Sequence, residues 1–241
     1  MGKRNFVGIA AVLAGIIAGC TPASDSSPPT GGPATGGQTR VEAPTAPKMA
    51  ALDPEQVRKG QVVFAENCVA CHQEGGKGKP GVAPSLTDKE FLTFASDRFL
   101  YDTIRDGRTD TQMPPWGESL KEDQINAVIA YLRSHAQQPS RAGEVEGDRT
   151  AMGDPRLGKR WFTQICAGCH GPNGEGYAGE GSGTAIGKPG FLNKASDGFI
   201  RAIVKNGRSN TPMHGFQGPA AVASLTDQEI DDIISYLRVI E

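Results

Sequence analysis

An all-α, loop-rich chain of two tandem lobes, each wrapped round one covalent prosthetic group, is what the sequence predicts, and three observations predict it. Cys68-Val69-Ala70-Cys71-His72 recurs further on as Cys166-Ala167-Gly168-Cys169-His170. Downstream of each copy a common set of residues returns at one offset: Phe91, Leu92, Ala95, Ser96, Asp97, Phe99, Gly107, Arg108 and Met113 match Phe191, Leu192, Ala195, Ser196, Asp197, Phe199, Gly207, Arg208 and Met213, one hundred positions later. Apolar residues fall at helical spacing in short runs, and 32 glycines and 17 prolines among 241 residues fill the loops between them. With only 37% hydrophobic residues, two small lobes need something besides side chains to complete their cores.

The repeated pentapeptide says what that is. Two cysteines separated by two residues, with a histidine directly after the second, form the attachment signature of c-type haem: the thiols add to the porphyrin vinyl groups and the imidazole binds iron. A zinc ribbon also uses such cysteine pairs, but places them about 15–20 residues apart, far closer than here. A thioredoxin-like redox pair wants a βαβ surround that is missing, and a disulfide framework leaves both histidines unexplained.

The elements follow in order. Residues 1–19 read as an export signal, with Lys3 and Arg4 before an apolar run from Phe6 to Gly19 that is short for a membrane span. Ile17-Ala18-Gly19-Cys20 resembles a bacterial lipobox, which implies a lipid on Cys20; the alternative is an ordinary cleaved signal or a short anchor. Residues 20–52, rich in Pro, Gly, Ser and Thr, read as a disordered tether. Lobe one spans 53–135. Asp53-Pro54 starts its first helix, with Val57, Gly60 and Phe64 on one face ahead of Cys68. Ser96 caps a second helix that stops at Gly107, and Ser119 with Glu122 suggests a capping box for a last helix carrying Ile125, Val128, Ile129 and Leu132. A polar linker, 136–153, leads to lobe two, 154–241, where Asp154-Pro155, Gly158, Phe162 and the stripe Ile230, Ile233, Ile234 and Leu237 repeat the plan.

Both lobes resemble class I cytochrome c domains, on the haem motifs, the late methionines, and the matched sets Gly60, Phe64, Tyr131 and Gly158, Phe162, Tyr236. The resemblance covers nearly all of 53–241 and implies that the first and last helices cross at those glycines and aromatics. It implies two covalently attached haem c groups, held at Cys68 and Cys71 and at Cys166 and Cys169. His72 and His170 would bind one face of each iron. Met113 and Met213 alone among the methionines occupy equivalent places inside the repeat, and their thioethers suit the other face. His214 and, more remotely, His135 are competing ligands; their ordinary readings are a solvent-facing loop residue and a cation at a helix C-terminus. In the family the haem histidine donates its second ring nitrogen to a proline carbonyl. Pro84 fits that role, but Thr184 stands at the matching place in lobe two, leaving the partner of His170 open. Trp116 has only Phe216 as a loose counterpart. Arg108 and Arg208 would bond haem propionates, or else be solvated arginines after a helix stop.

These readings predict an electron-transfer protein and not an enzyme: a dihaem c-type cytochrome, exported and lipid-anchored, facing the periplasm or cell exterior. It would pass single electrons between respiratory or photosynthetic membrane partners, such as a quinol-oxidising complex or a terminal oxidase. The alternative is a dihaem oxidoreductase, peroxidase-like or thiosulfate-oxidising, in which one axial ligand is displaceable. A formal charge of −2 with no basic stripe excludes nucleic acid as a partner, and a haem-based sensor is a disfavoured third reading, since the sequence offers no signalling module beside the two lobes.

Overall fold

Asp53 accepts a hydrogen bond from the Glu55 amide (2.9 Å) and Pro54 occupies the first helical position, so helix α1 runs Pro54–Asn67 as capping chemistry dictates. The computed structural model describes residues 49, 51–219, 221 and 223–240. The expected signal 1–19, Cys20 and most of the tether 20–52 lie outside the described residues. What is described belongs to a single unit, Ala46–Glu241.

In lobe one, α1 leads into the motif turn α2 (Val69–His72), then α3 (Lys89–Phe94), α4 (Asp97–Asp106) and α5 (Glu122–Arg133). The Ser96 hydroxyl accepts from the Phe99 amide at 3.0 Å, capping α4 as its sequence suggested. The cap of α5 differs from expectation. Its N-cap is Lys121, whose amide donates to the Gln124 side chain (3.0 Å), while Ser119 is used in a turn that donates its amide to the Trp116 carbonyl. The Ser119–Glu122 box therefore does not form; Leu120, buried at 7% exposure, pulls the turn inward and delays the helix start.

The linker 136–153 carries a short helix, α6 (Ala142–Glu146), and is more than a polar spacer. The Arg141 amide donates to the Thr93 carbonyl (2.7 Å), and a Cβ placed on Gly198 would lie 1.9 Å from the Val145 carbonyl oxygen, so the linker touches both lobes closely.

Lobe two repeats the order with α7 (Pro155–Trp161), a π turn at Phe162–Cys166, α8 (Ala167–His170), α9 (Pro189–Leu192), α10 (Asp197–Asn206) and α11 (Asp227–Leu237). Thr163 bonds back to the Lys159 carbonyl (2.7 Å) where α7 gives way to the wider turn, a contact known to loosen helices. Thr226 and Glu229 make a full capping box on α11. Among the described residues there is no strand, only isolated bridges between Lys79 and Ala83 and between Gly207 and His214.

The lobe cores are built where first and last helices cross. A Cβ on Gly60 would come within 1.8 Å of the Ala127 carbonyl oxygen, and one on Gly158 within 1.9 Å of that of Asp232. Only glycine lets the backbones approach so far. Phe64 packs on Tyr131 with centroids 5.3 Å apart, and Phe162 on Tyr236 at 5.4 Å. Arg133 then ties α5 to the end of α3 through the Leu92 and Ala95 carbonyls (both 2.6 Å), and Arg238 does the same with those of Leu192 and Ala195.

The lobes meet face to face through α3 against α10 and α4 against α9. Phe99 and Phe199 stack at 4.9 Å, flanked by Phe91 on Phe199 (6.3 Å) and Phe191 on Phe99 (6.2 Å). Each contact has its image under the hundred-residue offset, the mark of a two-fold interface between like surfaces.

Candidate haem sites

Each site starts from one helical turn. In α2 the His72 amide donates to the Cys68 carbonyl (2.9 Å), which gathers the two thiols and the imidazole on a single helical turn. None of the four motif cysteines forms a disulfide; Cys68 and Cys166 are half-buried and Cys71 and Cys169 exposed. Burial, reinforced by the neighbouring thiol, pushes Cys68 up to about 11 and Cys166 up to about 12. These side chains are therefore uncharged thiols at neutral pH.

The histidines are oriented by backbone. Nδ1 of His72 donates to the Pro84 carbonyl at 3.0 Å, and Nδ1 of His170 donates to the Thr184 carbonyl at 2.7 Å. The acceptor that the sequence left open in lobe two is thus Thr184, the hundred-residue image of Pro84. The acceptor is a main-chain oxygen, so side-chain identity was a poor guide to it. Burial pulls both imidazoles below their ordinary value, against the opposing effect of the carbonyl bond; at His170 the guanidinium charges of Arg208 and Arg108 lower it further. Both rings are neutral at physiological pH, with Nε2 left to act as a ligand.

The methionine loops superpose in their bonding. Gly107 and Gly207 take positive φ (66° and 72°), which turns the chain after α4 and α10. The Arg108 amide donates to the Met113 carbonyl (3.0 Å) and that of Arg208 to the Met213 carbonyl (2.7 Å). Thr111 and Thr211 each give a hydroxyl hydrogen to the arginine carbonyl (2.7 and 2.8 Å) and accept the methionine amide (3.2 and 3.1 Å). Trp116 and Phe216 close the loops identically, their amides donating to Ile104 and Val204 carbonyls at 3.1 and 3.0 Å. Phe216 is a positional equivalent of Trp116, a closer match than its sequence suggested.

His214 has an exposed side chain and joins the bridge to Gly207 through its backbone. His135 packs edge-on to Tyr131 (5.0 Å), and burial lowers its pKa, so it is a neutral ring and not the helix-end cation expected. Arg108 and Arg208 do not end as solvated side chains: each reaches across the interface, Arg108 to the Ala185 carbonyl and Arg208 to that of Ser85 (2.6 Å) and to Asp88 (2.6 Å). Arg133 and Arg238, whose carbonyl clamps set α3 and α9, end the repeated triplets Tyr131-Leu132-Arg133 and Tyr236-Leu237-Arg238, the one sequence signal that points to them.

The donor set fits haem c. Two neighbouring thiols stand free, the following imidazole is fixed with one nitrogen spare, and a thioether lies on a loop of repeated geometry. Among the described residues no three His, Cys, Asp or Glu side chains converge on a metal position.

Two helical lobes, each with a Cys-x-x-Cys-His turn and a later methionine loop, define a dihaem c-type cytochrome. Residues 55–132 match the family described as cytochrome c oxidase, cbb3-type, subunit III, and residues 156–241 match the cytochrome c family. The chain belongs to the class I c-type cytochromes, as a tandem of two such domains carrying two covalent haem c groups. It is 29% identical over 190 residues to the cbb3-type cytochrome c oxidase subunit FixP of Sinorhizobium medicae, covering 76% of this chain and 60% of that one. It is also 29% identical over 188 residues to subunit CcoP of Rubrivivax gelatinosus, covering 78% and 55%. The chain thus spans somewhat more than half the length of these relatives. Among solved structures, a chain of the Kuenenia stuttgartiensis reducing HAO-like protein complex aligns with TM-score 0.47 and 20% identity, over 79% of this chain and 99% of that one.

Proposed function

We propose that the chain is an electron-transfer protein, without catalytic residues of its own, that passes single electrons between membrane-associated redox partners. Its relatives' names point to a terminal oxidase of the cbb3 type as the partner class, fed by a quinol-oxidising complex. His72 with Met113, and His170 with Met213, are the proposed axial pairs, and Cys68, Cys71, Cys166 and Cys169 the attachment thiols. A lipid on Cys20 would hold the protein at the outer face of a bacterial membrane, with lobes at 53–135 and 154–241. No described helix is long and apolar enough to cross a membrane.

The observation that carries this reading is the matched bonding of the two methionine loops, in which the arginine amide, the threonine hydroxyl and the aromatic amide make the same hydrogen bonds in each lobe. Bound haem c supplies a one-electron couple at each lobe. The chain's residues then have three tasks. Pro84 and Thr184 carbonyls fix the imidazoles, the Thr111 and Thr211 hydroxyls fix the methionine amides, and Trp116 and Phe216 shield the loops from water. With His72 and Met113, and His170 and Met213, holding the two faces, each iron would offer no position to a substrate, and such a site would exchange electrons only.

Carbon monoxide tests this. Added to the reduced dihaem protein it should bind neither haem rapidly, whereas Met113→Ala and Met213→Ala should each open one haem to it. Fast binding to one haem of the unmodified protein would instead establish a displaceable ligand, as a peroxidase-like or thiosulfate-oxidising enzyme requires.

A further inference from the structure

The interface is two-fold in shape but not in charge. Arg108 leaves lobe one to bond the Ala185 carbonyl, one residue from the Thr184 oxygen that holds His170; Arg208 leaves lobe two to bond the Ser85 carbonyl, one residue from the Pro84 oxygen that holds His72. Each guanidinium also lies over a phenylalanine of the opposite lobe, Arg108 over Phe191 (5.0 Å) and Arg208 over Phe91 (4.8 Å). There the equivalence stops. Arg208 is neutralised by Asp88, a carboxylate with 1% of its side chain exposed. The image of Asp88 is Lys188. Arg108 consequently makes no ion pair with any described residue, and its Nε is enclosed without a hydrogen-bond partner. Desolvation, with the like charge of Arg208, pulls its pKa down to about 10, which still leaves it charged at neutral pH.

We propose that Arg108 and Arg208 are positioning residues acting in trans, each gripping the loop that orients the other lobe's haem histidine, and that the uncompensated charge of Arg108 raises the reduction potential of the haem in lobe two. The redox step is ferric haem plus one electron giving ferrous haem, the electron coming from a redox mediator. The site's net charge falls by one, so a fixed cation held in a poorly solvated interface favours the product. An anion on the spare edge of Arg108 does not reverse the sign. If a haem carboxylate sits there, removing the arginine strands that carboxylate and again favours the ferric form.

The experiment is a spectroelectrochemical titration of the dihaem holoprotein, with the two couples assigned through Met113→His and Met213→His references. Arg108→Gln should lower the lobe-two couple by about tenfold or more in its reduction equilibrium, 59 mV for a one-electron step, and leave the lobe-one couple within about twofold. Lys188→Asp, which gives Arg108 the carboxylate that Arg208 already has, should shift the same couple the same way with the backbone contact intact. That variant decides the matter if Arg108→Gln loosens the interface. Arg108→Lys should restore most of the shift. Unchanged lobe-two potentials in both Arg108→Gln and Lys188→Asp, or equal movement of both couples, would overturn the proposal. The inference rests on two bound haems and not on the partner class, and the haem content read from the same spectra separates loss of haem from loss of the arginine's effect.

Discussion

A single methyl group distinguishes what the first and last helices of each lobe tolerate. Gly60→Ala would drive its Cβ against the Ala127 carbonyl and the Tyr131 Cβ (2.9 Å), both on a helix that cannot yield locally. The expected loss is about 3 kcal/mol or more in a denaturant melt of the holoprotein, with Gly158→Ala equivalent in lobe two. Gly143, with nothing within 4 Å of its would-be Cβ, is the control and should be near neutral. His135 offers a prediction in pH. Burial lowers its folded pKa below the ordinary 6.5, so through the window from that lowered value up to about 6.5 the unfolded chain binds more protons than the folded one. Stability should rise with pH across that window and be lost as pH falls through it. His135→Gln should flatten this acid limb, measured as the melting midpoint between about pH 5 and 7. These residue-scale roles were partly legible: glycine and aromatic spacing announced the helix crossing, but neutrality of His135 depends on burial against Tyr131, which spacing alone does not contain.

At the scale of elements, local chemistry decided most starts and failed at one. Ser96 and Ser196 accept the Phe99 and Phe199 amides at 3.0 and 3.1 Å. Ser96→Ala or Ser196→Ala should each cost about 1 kcal/mol by chemical denaturation. Ser119→Ala should cost far less, because that hydroxyl caps nothing; a loss equal to that of Ser96→Ala would contradict the observed start of α5. The misplaced cap has a physical cause: a hydroxyl followed three residues later by a carboxylate is a local signal, and burial of Leu120 is a tertiary one that outweighs it. The linker is the second case. Its polar composition hides the fact that Gly198 admits α6 against α10 and that Arg201, 4% exposed, pairs with Asp231 at 2.8 Å while also binding Asp148.

Among the described residues the two lobes pack against one another through α3 against α10 and α4 against α9. Phe99 and Phe199 come from different lobes and stack at 4.9 Å inside a shared aromatic cluster. A double-mutant cycle on Phe99→Leu and Phe199→Leu should return a coupling of about 0.5–1.5 kcal/mol, read from the unfolding of the intact dihaem protein. Additive effects would mean that the two rings contribute no coupling across the interface. This scale was the least legible of the three, since the repeat is visible in the sequence but the face on which its copies meet is not.

By itself the sequence determined the duplication and the helix crossings, and it offered the candidate thiols, histidines and methionines, because each depends on spacing along one chain. Only the tertiary structure decided that Thr184 holds His170, that Phe216 stands where Trp116 does, and that Arg108 and Arg208 cross to opposite lobes with Asp88 present for one and Lys188 in its place for the other. The arginine crossings depend on contacts between residues some eighty to one hundred and twenty positions apart, and the Thr184 bond on which main-chain carbonyl the loop turns toward the imidazole. Which distant surfaces meet is set by the summed burial of many side chains, a quantity that no short stretch of sequence carries.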